Sequence, residues 1–356
     1  MRALVFDEAP RRVYWELTRA CDLACRHCRA EAMPGRAPDE LSTRECQRIM
    51  TELAAAAPAP HVVLTGGDPL KRPDLLRLVG YGTRLGLKIS VAPSATTRVT
   101  ADLLGGLRAA GVEAISLSLD GATAARHDAV RNVLGCFGWT LVAAQRIVAT
   151  GIPLQVNTLV TAGTARDLEE VAGLVGRLGA ARWSLFFLIP TGRGRALRPL
   201  DPLETERTLR WAASQSGAWP FTVTTTEAPH YRRIVVEHLR VAGRTAAEIR
   251  ERPIARSFGL RDGNGIMFIA ANGDVTPSGF LPLVAGNVRR ANPIEIYREA
   301  PLFRLLRSPS ALRGRCGVCP FRAACGGSRA RAWAASGDVL AEDPLCAYQP
   351  GQAGAA

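Results

Sequence analysis

From about residue 13 to residue 190, short apolar runs rich in β-branched residues alternate with longer segments whose apolar residues recur every three or four positions. The runs are 13–18, 61–65, 87–91, 114–119, 154–160 and 183–188, and their near-continuous hydrophobicity predicts strands buried on both faces. The segments between them, 42–57, 73–85, 100–110, 137–150 and 167–178, have helical spacing. Ser42 and Glu45 stand at capping-box spacing, and Pro73 with Asp74 suits a first helical turn. Six strands alternating with five helical segments predict a parallel sheet, which right-handed crossovers bend toward a barrel. Polar residues at the C-terminal ends of its strands then face one mouth: Thr18, Thr65, Ser94, Ser118 with Asp120, and Asn157 with Thr158.

After Pro190-Thr-Gly-Arg-Gly-Arg195 the alternation stops. Residues 266–270 and 274–277, joined by Asn272-Gly273, predict a hairpin, and a helix is expected over about 294–307. These breaks divide the chain into an α/β barrel over 12–215 and a smaller α+β domain over 216–356. Hydrophobic residues make up 47% and charged residues 22%, and no apolar stretch approaches the roughly 20 residues of a membrane span. With no secretory signal visible, a cytoplasmic protein is expected. The net charge of +13 is nearly all arginine scattered along the chain, Lys71 and Lys88 being the only lysines. Phosphate binding needs charges on one face, so nucleic acid is not the expected partner, and an acidic small molecule or a peptide is easier to reconcile with this charge.

Nine cysteines fall into a triplet (Cys21, Cys25, Cys28), a quartet (Cys316, Cys319, Cys325, Cys346), and two isolated residues, Cys46 and Cys136, which read as small hydrophobes. Clusters at both ends read as metal ligands in a reducing compartment rather than as disulfides. Three thiolates on a four-iron cubane leave one iron without a protein ligand, and an open coordination site separates a reactive centre from a structural one. The competing reading of the triplet is a zinc knuckle completed by His27, although zinc prefers matched two-residue hooks. For the quartet, structural zinc and a fully ligated four-iron cluster both fit, and spacing does not choose.

The Cys21-x3-Cys25-x2-Cys28 motif at the end of a first barrel strand resembles that of the radical S-adenosylmethionine (SAM) enzymes, and the resemblance continues in Thr65-Gly-Gly-Asp-Pro69 after the second strand. It implies a partial (β/α)6 TIM-type barrel whose [4Fe-4S] cluster binds SAM and cleaves it to a 5′-deoxyadenosyl radical. It further implies that Gly66, Gly67, Asp68 and Pro69 meet the SAM amino group and that His27 lies near the adenine. Ser118 and Asp120 would then reach the ribose or methionine end, Arg131 the methionine carboxylate, and Asn157 the adenosine. Asp68 is the shorter of the two carboxylates seen in this motif.

The quartet resembles the SPASM and twitch extensions of that superfamily, which implies an auxiliary [4Fe-4S] cluster. Ser278 stands where many relatives have cysteine, so one auxiliary cluster is expected rather than two. The stretches 14–21, 190–194, 225–233 and 325–332 are similar to a branch near the enzymes that trim siroheme side chains. That similarity implies oxidative modification of a tetrapyrrole, by side-chain removal or decarboxylation, with electrons from a flavodoxin- or ferredoxin-type donor. Peptide maturation is the alternative, and a zinc-bearing nucleic-acid-binding protein is the alternative of another class. Glu227, His230, Tyr231 and Arg232 are the candidate substrate contacts.

Overall fold

The computed structural model describes residues 6–351. Strands β1 (Arg12–Thr18), β2 (His61–Gly66), β3 (Ile89–Val91), β4 (Ala114–Ser118), β5 (Leu154–Val160) and β6 (Arg182–Phe187) form where the apolar runs lie. They pair side by side in chain order, all parallel. Val13, Trp15, Val62, Leu64, Ile89, Ile115, Leu117, Val156 and Leu185 are buried in one core with the inward faces of the crossover helices. Those helices are α1 (Thr43–Ala54), α2 (Leu75–Arg84), α3 (Ala101–Ala109), α4 (Ala124–Arg131), α5 (Cys136–Ala149) and α6 (Leu168–Arg177). The result is a partial (β/α)6 barrel, in which α4 is an extra short helix whose Ala-Ala-Arg-His-Asp-Ala-Val-Arg sequence has no apolar stripe to announce it.

The capping box forms: Ser42 Oγ accepts from Glu45 N at 3.3 Å, and the Glu45 carboxylate accepts from Ser42 N at 2.7 Å. The next helix begins at Leu75, and Asp74 does not cap it. Its carboxylate instead joins Arg72 Nη2 and Thr43 Oγ1, each at 2.7 Å.

The sheet runs on beyond residue 215. Helix α7 (Pro202–Gln215) leads into β7 (Thr222–Thr226), a seventh parallel strand on β6, and then into α8 (Tyr231–Val241). Thr-Val-Thr-Thr-Thr is β-branched but lacks apolar alternation, which is why periodicity does not mark it. After β8 (Arg261–Asp262), β9 (Gly265–Ile269) pairs parallel with β1, and β10 (Asp274–Thr276) folds back on β9 as the expected hairpin. β11 (Gly286–Asn287) pairs with β10 at that edge of the sheet. The helix expected over 294–307 is two helices, Pro293–Glu299 and Pro301–Arg307, because Pro301 has no N–H to continue the first. Among the described residues no helix is long and apolar enough to cross a membrane.

Candidate active site and cysteine centres

The first site is built where β1 ends. Its register with β2 shifts between Glu16 and Thr18, and pairing resumes beyond both strands, with Gly67 N donating to Thr18 O at 2.8 Å and Asp68 N to Ala20 O at 2.7 Å. A Cβ on Gly66, at φ +146°, would lie 2.3 Å from Thr18 O, and one on Gly67 would lie 2.4 Å from Ala20 O. The glycine pair therefore admits the chain that leads into Cys21, in addition to lining the cavity below. Gly67→Ala should push that chain aside, at a cost of ~1–3 kcal/mol, with a lower melting temperature and weakened SAM binding by calorimetry. Wild-type values of both would contradict the close approach.

The cysteine loop is held on several sides. Cys21 N donates to Met33 O at 2.8 Å and Arg26 N to Val130 O at 3.0 Å. The buried Glu40 carboxylate accepts from Thr18 Oγ1 at 2.8 Å and from Arg19 N at 2.9 Å. Across the loop, Arg193 N donates to Cys28 O at 3.1 Å and Arg193 Nε to Cys25 O at 3.0 Å. The sulfurs also face donors: Leu23 N at 3.3 Å from Cys21 Sγ, and Arg131 Nη1 at 3.6 Å from Cys25 Sγ. Burial pushes the Cys21 thiol up, with the hydrogen bonds from Ser94 and Leu23 opposing it, and donors aimed at sulfur are the surroundings that metal-bound thiolates have, so this set fits cluster ligands. The Arg193 clamp was not anticipated from the sequence. Its signal there is the Pro190-Thr-Gly-Arg-Gly194 stretch just after β6.

Cys21, Cys25, Cys28, His27, Gly66, Gly67, Ser118, Asp120, Arg131 and Asn157 all line one cavity of about 930 Å³. Asp68 and Pro69 stand behind its wall. Asp68 is fully buried, accepts from Leu70 N at 3.0 Å and Ser94 N at 3.3 Å, and is pushed up to about 6 by burial. Ser94 Oγ then donates to Gly67 O at 3.1 Å and lies 3.3 Å from Cys21 Sγ, so Asp68 positions the glycine loop and the cysteine loop together. Asp120 and Arg131 are committed to one another at 2.5 Å, and Leu159 N donates to Asp120 at 2.7 Å. Burial opposes the Asp120 charge, yet Arg131 beside it holds the carboxyl below the usual carboxylate range. His27 Nδ1 has no hydrogen-bond partner among the described residues, and burial with Arg131 nearby pushes the ring down to about 4, leaving it neutral at pH 7. Asn157 Oδ1 accepts from Gln155 Nε2 at 2.8 Å.

A second, smaller cavity is lined by Cys316, Cys319, Cys325 and Cys346. Phe321 N donates to Cys319 Sγ and Gly327 N to Cys325 Sγ, each at 3.4 Å, while Arg329 Nη2 lies 3.8 Å from Cys316 Sγ. Burial pushes Cys325 up to about 12 and Cys346 up to about 11. As free thiols they would stay protonated, and a metal centre's positive charge is what makes thiolates stable in such a place. Cys46 is buried in the core on α1. Cys136 is buried against Cys21, Leu23 and Cys25, a neighbourhood that nothing in its local sequence indicates.

The four candidate substrate contacts separate. Glu227 and Arg232 face the large cavity, Tyr231 packs into the main core, and His230 faces the cysteine quartet. Glu227, in the left-handed region at φ +57°, accepts from Ser328 Oγ, and burial with Asp262 alongside holds its carboxyl well above the usual range.

Residues 15–175 match the radical SAM superfamily. An AdoMet-dependent heme synthase of Methanosarcina barkeri is 37% identical over 349 residues, covering 98% of this chain and 99% of that one. The mycofactocin maturase MftC of Mycobacterium ulcerans is 32% identical over 352 residues, covering 95% and 88%. Among solved structures, Streptococcus suis SuiB bound to S-adenosylmethionine aligns with a TM-score of 0.74 over 96% of this chain and 78% of that one. At 17% identity the likeness is one of fold.

Proposed function

Because this chain belongs to the radical SAM superfamily, we propose that it acts on a tetrapyrrole, converting carboxylate-bearing side chains by oxidative decarboxylation. The observation that carries this reading is the end-to-end similarity to a heme synthase, which exceeds the similarity to a peptide maturase. The cavity supports it chemically. Phe186, Phe187, Phe268 and Phe280 give it aromatic walls, with the Arg29 guanidinium 4.3 Å from the Phe268 ring centre. Arg193 and Arg232 also line it; Arg193 Nη2 is buried without a partner among the described residues, and Arg232 donates to Ala324 O at 3.3 Å. Flat apolar faces edged by guanidinium groups suit a flat aromatic polyanion.

In this reading Cys21, Cys25 and Cys28 would hold the SAM-binding [4Fe-4S] cluster, while Gly66, Gly67, Ser118 and Asn157 would receive SAM itself. Neutral His27 would stand beside the adenine. Arg131, the residue expected at the SAM methionine carboxylate, is tied to Asp120 and would also fix the surroundings of Cys25. With cluster and SAM bound, the group would supply hydrogen-atom abstraction from the carbon β to a carboxylate, after which loss of CO2 and one electron would leave a carbon–carbon double bond. The chain's own contribution is to keep water and competing C–H bonds away from the reacting carbon. Cys316, Cys319, Cys325 and Cys346 would hold one auxiliary [4Fe-4S] cluster to receive the electron. A cytoplasmic flavodoxin- or ferredoxin-type protein is the proposed donor.

Anaerobic incubation with SAM, dithionite and a carboxylated tetrapyrrole tests the assignment. The expected product is lighter by CO2 and two hydrogens per side chain, with one 5′-deoxyadenosine formed each time. An unchanged tetrapyrrole alongside a modified peptide substrate would move the assignment to peptide maturation.

A further inference from the structure

His230 lies at the N-terminal end of α8, and the residue is 1% exposed. Neither Nδ1 nor Nε2 has a hydrogen-bond partner among the described residues. A neutral imidazole carries one N–H and one lone pair, and leaving such a buried group unsatisfied forfeits the solvation it had in water. Native structures hold few such groups, and each calls for a physical cause.

The charged side chains that surround the ring are already engaged with one another. Arg331 pairs with Asp343 at 3.0 Å, and Arg233 pairs with Glu206 and with Glu237. What the ring does face is the cavity lined by Cys316, Cys319, Cys325 and Cys346. A group held by those four sulfurs would lie where the ring can meet it.

We propose that His230 is a positioning residue for the auxiliary centre, donating its ring N–H to a sulfur of the cluster that the quartet holds. This rests on the reading of the quartet as an iron–sulfur site given above. A hydrogen bond to a cluster sulfur draws off electron density and stabilises the reduced state, so it raises the reduction potential. His230 thereby makes the quartet a better electron acceptor without touching the substrate.

The test uses the full chain, reconstituted anaerobically, with the auxiliary cluster followed by EPR during a redox titration in the presence of SAM. His230→Phe keeps an aromatic ring and removes the donor. At a fixed potential it should lower the reduced-to-oxidised ratio of that cluster about tenfold, or 59 mV for a one-electron couple. His230→Gln, which keeps an N–H, should restore most of the shift. An unchanged potential in a His230→Phe protein of full iron content overturns the proposal, and so does loss of the cluster in both variants, which would make the residue a scaffold or a ligand. A second measurement needs no variant: pulsed EPR of the reduced wild-type cluster with 15N-histidine should show a weak nitrogen coupling. Strong coupling would mean direct ligation and no coupling would mean no contact, and either refutes the donor role. A wild-type chain with about four irons rather than about eight would instead sink the underlying reading of the quartet.

Discussion

Cys25→Ala yields no 5′-deoxyadenosine when the reconstituted protein is given SAM and dithionite. The loss should be at least a thousandfold, ~4 kcal/mol at 1.36 kcal/mol per decade, read by chromatography and mass spectrometry. The reason is local chemistry rather than unfolding. The loop is held through backbone groups, including Arg26 N on Val130 O and Arg193 on the carbonyls of Cys25 and Cys28, none of which the substitution removes. What it removes is the sulfur that faces Arg131 at 3.6 Å. On the proposed ligand set two thiolates would not hold the cubane, and SAM would lose the iron it is proposed to bind. The melting curve should stay close to that of similarly reconstituted wild type, apart from what the cluster itself contributes. Deoxyadenosine at the wild-type rate would mean that Cys25 is not a ligand.

Cys319→Ala separates the two centres. Iron content should fall by about four per chain, while SAM cleavage persists and decarboxylated product disappears. The two sets of sulfurs line different cavities, and Cys319 belongs to the smaller one with His230, so its loss leaves the donors around Cys21 and Cys25 in place. Deoxyadenosine would then accumulate without matching product, because a substrate radical that cannot pass on its electron either recovers a hydrogen atom or decays. Product at wild-type yield in this variant would remove the quartet from the electron path. The ratio of product to deoxyadenosine is the quantity to follow, since it is insensitive to the fraction of protein that carries an intact SAM cluster.

Much of this molecule was legible in one dimension because the signals are local. The six barrel strands are runs of buried residues, and Ser42 with Glu45 announces the start of α1 from three residues apart. The triplet was equally plain, since eight residues of loop suffice to bring three thiols together. The glycine pair was legible as a motif, but its packing role was not. Only the register shift beside Thr18 shows that Gly66 and Gly67 make room for β1's tail as well as lining a cavity. The motif makes Asp68 a ligand contact, and only the tertiary structure shows that its side chain also accepts from Leu70 N and Ser94 N. β7 escaped notice because a threonine run lacks the apolar alternation that marks a strand.

The chain alone determined the alternation that builds the sheet, the three thiols on one loop and the presence of a second cysteine set, because each depends on spacing over a few residues. Tertiary structure alone decided that Arg193 clamps a loop 168 positions away, and that Glu227 and His230, three residues apart, face different cavities. It also decided that Cys346 joins cysteines some twenty to thirty residues before it. Local periodicity fixes which way a residue points relative to its own strand or helix. What lies in that direction is set by how distant elements pack, and no repeat along the chain records it.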